Sequence, residues 1–417
     1  MSWLSSHGAS PTWLCFVLTA LLFTACASAR PATSPPTVIL SGNNPKHQTL
    51  APSVTPFPSS TSAPAATRTT LPTPSPLAPT PAPPDPGQPP TSSSPQPFAE
   101  LSLSYWQLVN AVAWSPDGSL LAAGVGEAVA IYRYPGLEEL SQIPLGAFQT
   151  ALAFSPSGTR LAAGGRDGVV RLWALDDGFV QEGVAQDDAD QPAGPRLTLT
   201  LTAHKKGLND LVFFPDGDLL ATAGNDAMAR LWDLESGKEM IQMIGGTFAV
   251  SSLALGPQAT WLAMVNGPDV RLREPCEARI LGGVRAESSL FSLALGPNGD
   301  WLSAGDQAGK IWVWKIVQEP HTGAIRAETQ APLVLADRKP SLVWRMAVSP
   351  DGSHLAACYA DGTLALWEMP AGRPIDSWQA HAGPCSGLAF HPSGDFLATG
   401  GLDASLRLWA VEELASR

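Results

Sequence analysis

Two sets of four residues invite a chemical reading. His204, Thr222, Asp226 and Trp232 form one, and His381, Thr399, Asp403 and Trp409 form the other. The steps between successive members are 18, 4 and 6 residues in both sets. An imidazole, a carboxylate and a hydroxyl are the ingredients of nucleophilic acyl transfer, in which His takes the hydroxyl proton and Asp orients His. That chemistry needs its hydroxyl on an exposed nucleophile turn, and no G-x-S-x-G pattern accompanies either set. The set also recurs, which one active site does not require. The better reading is a support, in which Asp is sheltered by the hydrogen bonds that His, Thr and the indole N–H supply.

Other chemistry is thinly represented. The chain has no H-E-x-x-H and no G-x-x-x-x-G-K-[ST], so neither a zincin site nor a phosphate loop is expected. Asp187, Asp188 and Asp190 lie close together, but their spacing matches no calcium loop, and a solvated acidic loop is expected. His321 and His354 stand alone. Cys276, Cys358 and Cys385 lack metal-ligand spacing; the last two fall in neighbouring repeats where pairing is conceivable, but small buried thiols are the simpler expectation. No metal or cofactor is expected. Net charge is −12. The first 98 residues hold only Arg30, Lys46, Arg68 and Asp85, so the remainder carries −14. Without a basic stripe, nucleic acid is not an expected partner.

The elements that must carry these residues are repeats. A short apolar strand, a Pro-Asp-Gly or Pro-Ser-Gly-like turn, and a second strand rich in Leu and Ala recur seven times, as in VAWSPDGSLLAAG and LAFHPSGDFLATG. The turn prolines are Pro116, Pro156, Pro215, Pro257, Pro297, Pro350 and Pro392, with spacings of 40, 59, 42, 40, 53 and 42. Pro fixes φ and Gly accepts positive φ, which suits a tight turn. Apolar side chains recur two and four places before each Pro, with Ala or Val212 between them. A strand apolar on both faces is covered on both faces. A period near 41 fits a four-stranded propeller blade, and the two long intervals are read as loops.

The repeats and the two four-residue sets resemble the WD40 family over residues 99–417. The resemblance implies an all-β, seven-bladed β-propeller in which the two sets are buried structural tetrads. Tyr132 and Arg273 replace the third-strand Trp in the first and fourth repeats, and Gln307 sits near the turn Asp position of the fifth. Those blades are expected to rely on packing. The last repeat ends at its third strand, at Trp409-Ala410-Val411, so the segment Leu101 to Trp106 is expected to supply the missing outer strand and close the ring. By the family's geometry, the residue six places before each turn Pro lies at the top mouth of the channel. These are Asn110, Thr150, Asn209, Ser251, Phe291, Trp344 and Ser386. Phe291, Trp344 and adjacent Arg345 are of the types enriched in binding hot spots and form the candidate partner site.

Half of the 40 prolines lie between Pro31 and Pro97, so 26–98 is expected to be a disordered Pro/Ser/Thr-rich linker. Residues 1–25 read as a signal peptide whose apolar run, Trp13 to Ala25, is short for a membrane span. Two processing routes stand open. Leu22-Phe23-Thr24-Ala25-Cys26 resembles a bacterial lipobox with Cys26 as the lipidated residue, whereas Ala27-Ser28-Ala29 fits ordinary cleavage and secretion. The expected protein is an extracytoplasmic, lipid-anchored monomer. It touches the membrane only through its anchor and binds protein or peptide partners at the top face without catalysis. A ligand- or glycan-binding sensor and a propeller hydrolase or lyase are the alternatives.

Overall fold

The computed structural model describes residues 95–104, 107–175, 194–318, 325–328, 332–336 and 341–415. The proposed signal peptide, Cys26, Asp187, Asp188, Asp190 and His321 lie outside the described residues, as does the linker up to residue 94. β1 (Ala99–Ser102) precedes the first blade, which consists of β2 (Val109–Trp114), β3 (Leu120–Val125), β4 (Ala128–Arg133) and β5 (Glu138–Pro144). The second blade is β6 (Gln149–Phe154), β7 (Arg160–Gly165), β8 (Val169–Ala174) and β9 (Arg196–Thr202). The third is β10 (Leu208–Phe213), β11 (Leu219–Gly224), β12 (Met228–Asp233) and β13 (Lys238–Ile244). The fourth is β14 (Val250–Leu255), β15 (Leu262–Asn266), β16 (Asp269–Arg273) and β17 (Ile280–Arg285).

The fifth blade is larger. Its strands are β18 (Leu290–Leu295), β19 (Trp301–Asp306), β20 (Lys310–Gln318), β21 (Ile325–Ala327) and β22 (Leu333–Ala336). β22 pairs with the first half of β20 and β21 with its far end. The second long interval, read from sequence as a loop, thus contains a strand that prolongs the sheet. The sixth blade is β23 (Val343–Val348), β24 (His354–Tyr359), β25 (Thr363–Glu368) and β26 (Arg373–Gln379). The seventh is β27 (Cys385–Phe390), β28 (Phe396–Gly401) and β29 (Ser405–Ala410), and β1 is its fourth strand.

The result is a seven-bladed β-propeller in which each inner strand packs against the inner strands on either side, and β2 packs against β27. Small residues permit this crowding: Ala122, Ala162, Ala221, Ala263, Ala356 and Ala398 on the second strands are fully buried. Large side chains fill the space between blades. One interface joins Trp261 and Leu272 of the fourth blade to Leu302 and Trp312 of the fifth.

Closure follows the expected route with a shifted register. Ala99 pairs with Leu408 and Ser102 with Ser405, so the clasp starts two residues before Leu101. Arg407 on β29 also bonds Glu100 on β1 at 2.8 Å. The expected result of deleting 99–107 is a fall in melting temperature of at least about 5 °C, since a domain this large loses roughly 2–4 °C per kcal/mol. Calorimetry on the full and truncated chains checks this, and identical transitions rule out a stabilising clasp. After β29 the chain makes a five-residue helix, α1 (Val411–Ala415), whose Val411 and Leu414 are buried beside Trp378 and Trp409.

The cysteines differ from expectation. Cys358 on β24 and Cys385 on β27 are both fully buried, with Cα atoms 5.2 Å apart, and form a disulfide. They are not the free thiols expected from their spacing. Neighbouring blades place β24 against β27, which brings the two positions within disulfide reach.

Candidate partner-binding mouth of the channel

Both four-residue sets assemble. In the third blade His204 Nδ1 lies 2.8 Å from Asp226, and His204 Nε2 lies 2.9 Å from the Thr222 hydroxyl. Trp232 Nε1–H donates to the same hydroxyl at 2.9 Å. In the seventh blade the matching distances are 3.0, 2.8 and 2.9 Å. Because Thr accepts from Trp, its O–H donates to Nε2, and the Nδ1–H is left for Asp. Thr222 and Thr399 are fully buried, so neither hydroxyl can reach a substrate. Burial alone would raise the Asp226 pKa, but bonds from His204 and Arg230 bring it below the usual carboxylate range. Burial lowers the pKa of His204.

The departing blades find other solutions. Tyr132 is buried in an apolar cluster, as packing-held blades require, and burial raises its pKa. Arg273 is also buried and donates to the carbonyls of Ala278 and Ile244 at 2.7 and 2.8 Å. The fifth blade does not rely on packing alone, contrary to expectation. Its fully buried Asp306 accepts from Trp312 Nε1 at 3.0 Å, from the Ser288 hydroxyl, and from the backbone N–H groups of Ala308 and Lys310. Asp306 and Trp312 keep the six-residue step of the other sets. That interval was the available signal, and it points to Asp306 rather than to the neighbouring Gln307.

The top mouth has a backbone cause. In all seven inner strands the register slips near the start, between the residues seven and five places before the turn Pro, or seven and four in the fourth blade. The residue six places before Pro therefore sits on a bulge in every blade. A bulge re-aims a side chain that the ladder would otherwise hold. Phe291 and Trp344, on consecutive blades, are each 39% exposed there. Both line a cavity of about 380 Å³ with Arg345, Arg166, Asn209 and Asn225.

Arg345 spans the channel. From the sixth blade its Nη2 donates to the carbonyl of Thr150 in the second blade at 2.6 Å, and approaches that of Asn209 in the third at 3.5 Å. Arg345 and Thr150 also line a second cavity of about 220 Å³, which contains Asp210, Ser252, Ser292 and Ser386. Asp210 is half-buried on the channel wall, and desolvation raises its pKa. The Arg345 charge, the Leu253 N–H at 2.8 Å and the Ser252 hydroxyl at 2.9 Å oppose that rise.

The structure thus brings Phe291, Trp344 and Arg345 together and adds two charged neighbours. Sequence reasoning singled out only those three at the mouth and missed Asp210 and Arg166. One signal was available for Asp210. Five places before the turn Pro the seven repeats read Ala111, Ala151, Asp210, Ser252, Ser292, Arg345 and Gly387. Two opposite charges stand there at equivalent positions of a ring. Among the described residues, no three of His, Cys, Asp and Glu gather as a metal site would need.

The family described as WD domain, G-beta repeat matches residues 102–127, 146–174, 195–233, 335–368 and 372–410. The unmatched stretch covers the fourth blade and most of the fifth, where the Arg273 and Asp306 arrangements replace the tetrad. The target of rapamycin complex subunit wat1 of Schizosaccharomyces pombe is 26% identical over 265 residues, 62% of this chain and 64% of the relative. Telomerase protein component 1 of Mus musculus is 26% identical over 276 residues, and that of Rattus norvegicus 27% over 277. Each of these two alignments spans 66% of this chain but 9% of the relative. The chain thus spans less than two thirds of the length of each of these relatives. Five repeat matches together with the seven-bladed ring support the place of this chain in the WD40 β-propeller family.

Proposed function

We propose that this protein is a monomeric, non-enzymatic scaffold that binds protein or peptide partners at the top mouth of its propeller. It is displayed outside the cytoplasmic membrane on a linker anchored through a lipidated Cys26. The observation that carries the binding reading is the pair Phe291 and Trp344, exposed on consecutive blades beside Arg345. Aromatic residues and Arg contribute most to binding when they are clustered and ringed by other contacts. Relatives of this chain include a protein named as a complex subunit, which agrees with a role in assembly. The Cys358–Cys385 disulfide suits an oxidising compartment and therefore a secreted propeller.

Cross-linking in intact cells, followed by recovery of the tagged full chain and mass spectrometry, tests this. Envelope proteins are expected with the wild type. Their recovery should fall about tenfold or more with Trp344→Ala and Phe291→Ala, a loss typical of hot spots. Equal recovery from wild type and variants excludes the mouth as the binding face.

A further inference from the structure

The cations of this acidic protein are unevenly satisfied. Arg133, Arg171, Arg230, Arg285, Arg373 and Arg407 each lie within about 3 Å of a described carboxylate. Arg160, Arg196, Lys238 and Arg273 make no ion pair with any described carboxylate, nor do Arg166, Lys205, Lys206 and Arg345. The last four lie on one side of the structure, at the mouth, where the Arg345 charge also acts on Asp210. Arg166 occupies the turn between β7 and β8, and Lys205 and Lys206 the loop entering β10. The two segments touch: the Arg166 carbonyl lies 3.1 Å from where a Cβ on Gly207 would stand. Asn225 Nδ2 donates to the Lys206 carbonyl at 3.2 Å. In the corresponding turns Asp167 is engaged by Arg171 and Asp226 by Arg230 and His204, whereas Glu127 and Asp361, on the first and sixth blades, make no ion pair with a described cation. Asp210, below the rim, is half-buried and accepts from Ser252 and Leu253. The side of the mouth formed by the second and third blades therefore carries three exposed cations, Arg166, Lys205 and Lys206, without a described counter-ion.

Arg166 and Arg345 line the same cavity as Phe291 and Trp344. Only one of Arg345's guanidinium nitrogens, Nη2, is bonded to the channel wall, which leaves the other donors for a planar acceptor. The Arg166 guanidinium sits 5.6 Å from the Phe148 ring centre, which orders it without neutralising it. Cations beside exposed aromatics favour a ligand with acids beside apolar groups.

We propose that the mouth receives an acidic peptide segment of another protein. One carboxylate meets Arg345, further carboxylates meet Arg166 and Lys206 along the rim, and a Leu or aromatic side chain packs on Trp344 and Phe291. This rests on the scaffold reading and adds the chemistry of the partner. A long polyanion is a poor fit, because the surrounding acidic surface repels it beyond the mouth.

The test uses the full chain in a neutral detergent and two fluorescein-labelled peptides of about twelve residues, one alternating Glu and Leu and the other Lys and Leu, read by anisotropy between roughly 50 and 300 mM salt. The acidic peptide is expected to bind and to weaken as salt rises, and the basic peptide to stay free. R166E/K206E should weaken the acidic peptide at least about tenfold while leaving the thermal transition in place, because both side chains are exposed. Failure of the acidic peptide to bind, equal binding of the basic one, or an unchanged affinity in R166E/K206E overturns the proposal. The two readings fail separately. A cellular partner lost from Trp344→Ala but retained by R166E/K206E keeps the scaffold and removes the acidic chemistry. A partner retained by both variants removes the mouth altogether.

Discussion

Asp403→Ala is expected to lower the unfolding free energy by about 3 kcal/mol at neutral pH, the scale of leaving a buried hydrogen-bond network without its acceptor. That corresponds to a fall in melting temperature of roughly 6–12 °C for a domain of this size. Asp403 accepts from His381 Nδ1–H at 3.0 Å, the Ser405 hydroxyl at 2.7 Å, the Ala382 N–H at 2.9 Å and Arg407 at 3.3 Å. Arg407 in turn holds Glu100 of the clasp. The substitution thus loosens a tetrad and the ring closure together, and should cost more than Asp226→Ala, whose carboxylate accepts from His204 and Arg230 alone among the described residues.

The effect carries a pH signature. Burial alone would raise the Asp403 pKa, but the bonds from His381, Ser405 and Ala382 depress it well below the ordinary value. A carboxylate depressed in the folded state stabilises fully above its unfolded pKa, near 3.9, and loses that contribution as pH falls towards the folded value. Calorimetry from about pH 7 down to about pH 2.5 should show the gap between wild type and Asp403→Ala narrowing below about pH 4. A gap that stays constant through that range contradicts the assignment.

Arg345→Ala is the second large effect. It removes the Arg345 charge that holds down the Asp210 pKa, and leaves a half-buried carboxylate with neutral donors alone. A loss of about 2–3 kcal/mol is expected near pH 7.5. Here the sign reverses. The folded pKa of Asp210 is raised, and rises further in the variant, so the penalty grows as pH climbs above the unfolded value and shrinks in acid. Denaturant unfolding at about pH 5 and about pH 7.5 should show the variant closer to wild type at the lower pH. Adding Asp210→Asn should recover much of the loss, because an amide does not need the cation. Equal stabilities for Arg345→Ala and Arg345→Ala/Asp210→Asn exclude the coupling.

The blades were legible because their information is local. Pro, Gly and period-2 apolar positions lie within a few residues of each other, and the seven copies fix the ring. The tetrads were legible for the same reason, as fixed steps along one repeat. What escaped depends on contacts between repeats or on very short elements. The Cys358–Cys385 disulfide joins two blades, and a spacing of 27 residues does not encode it. The reach of Arg345 to Thr150 crosses 195 positions of chain. α1 has five residues, too few for a periodic signal. β21, also missed, has only three. At the mouth, Phe291 and Trp344 were found by position in the repeat, whereas Asp210 required comparing charges around the whole ring.

The clasp also has a mechanical meaning. β1 runs antiparallel to β29, with Ala99 beside Leu408 at the lower end and Ser102 beside Ser405 towards the mouth. A tug on the chain at residue 98 by a partner held at the mouth pulls along β1 rather than across it. Load in that direction is shared by all the hydrogen bonds of the β1–β29 ladder at once, like a lap joint in shear, whereas a crosswise pull would peel them one by one. Under the tethering proposed above, the strand that closes the ring would be loaded in the direction in which its ladder holds best.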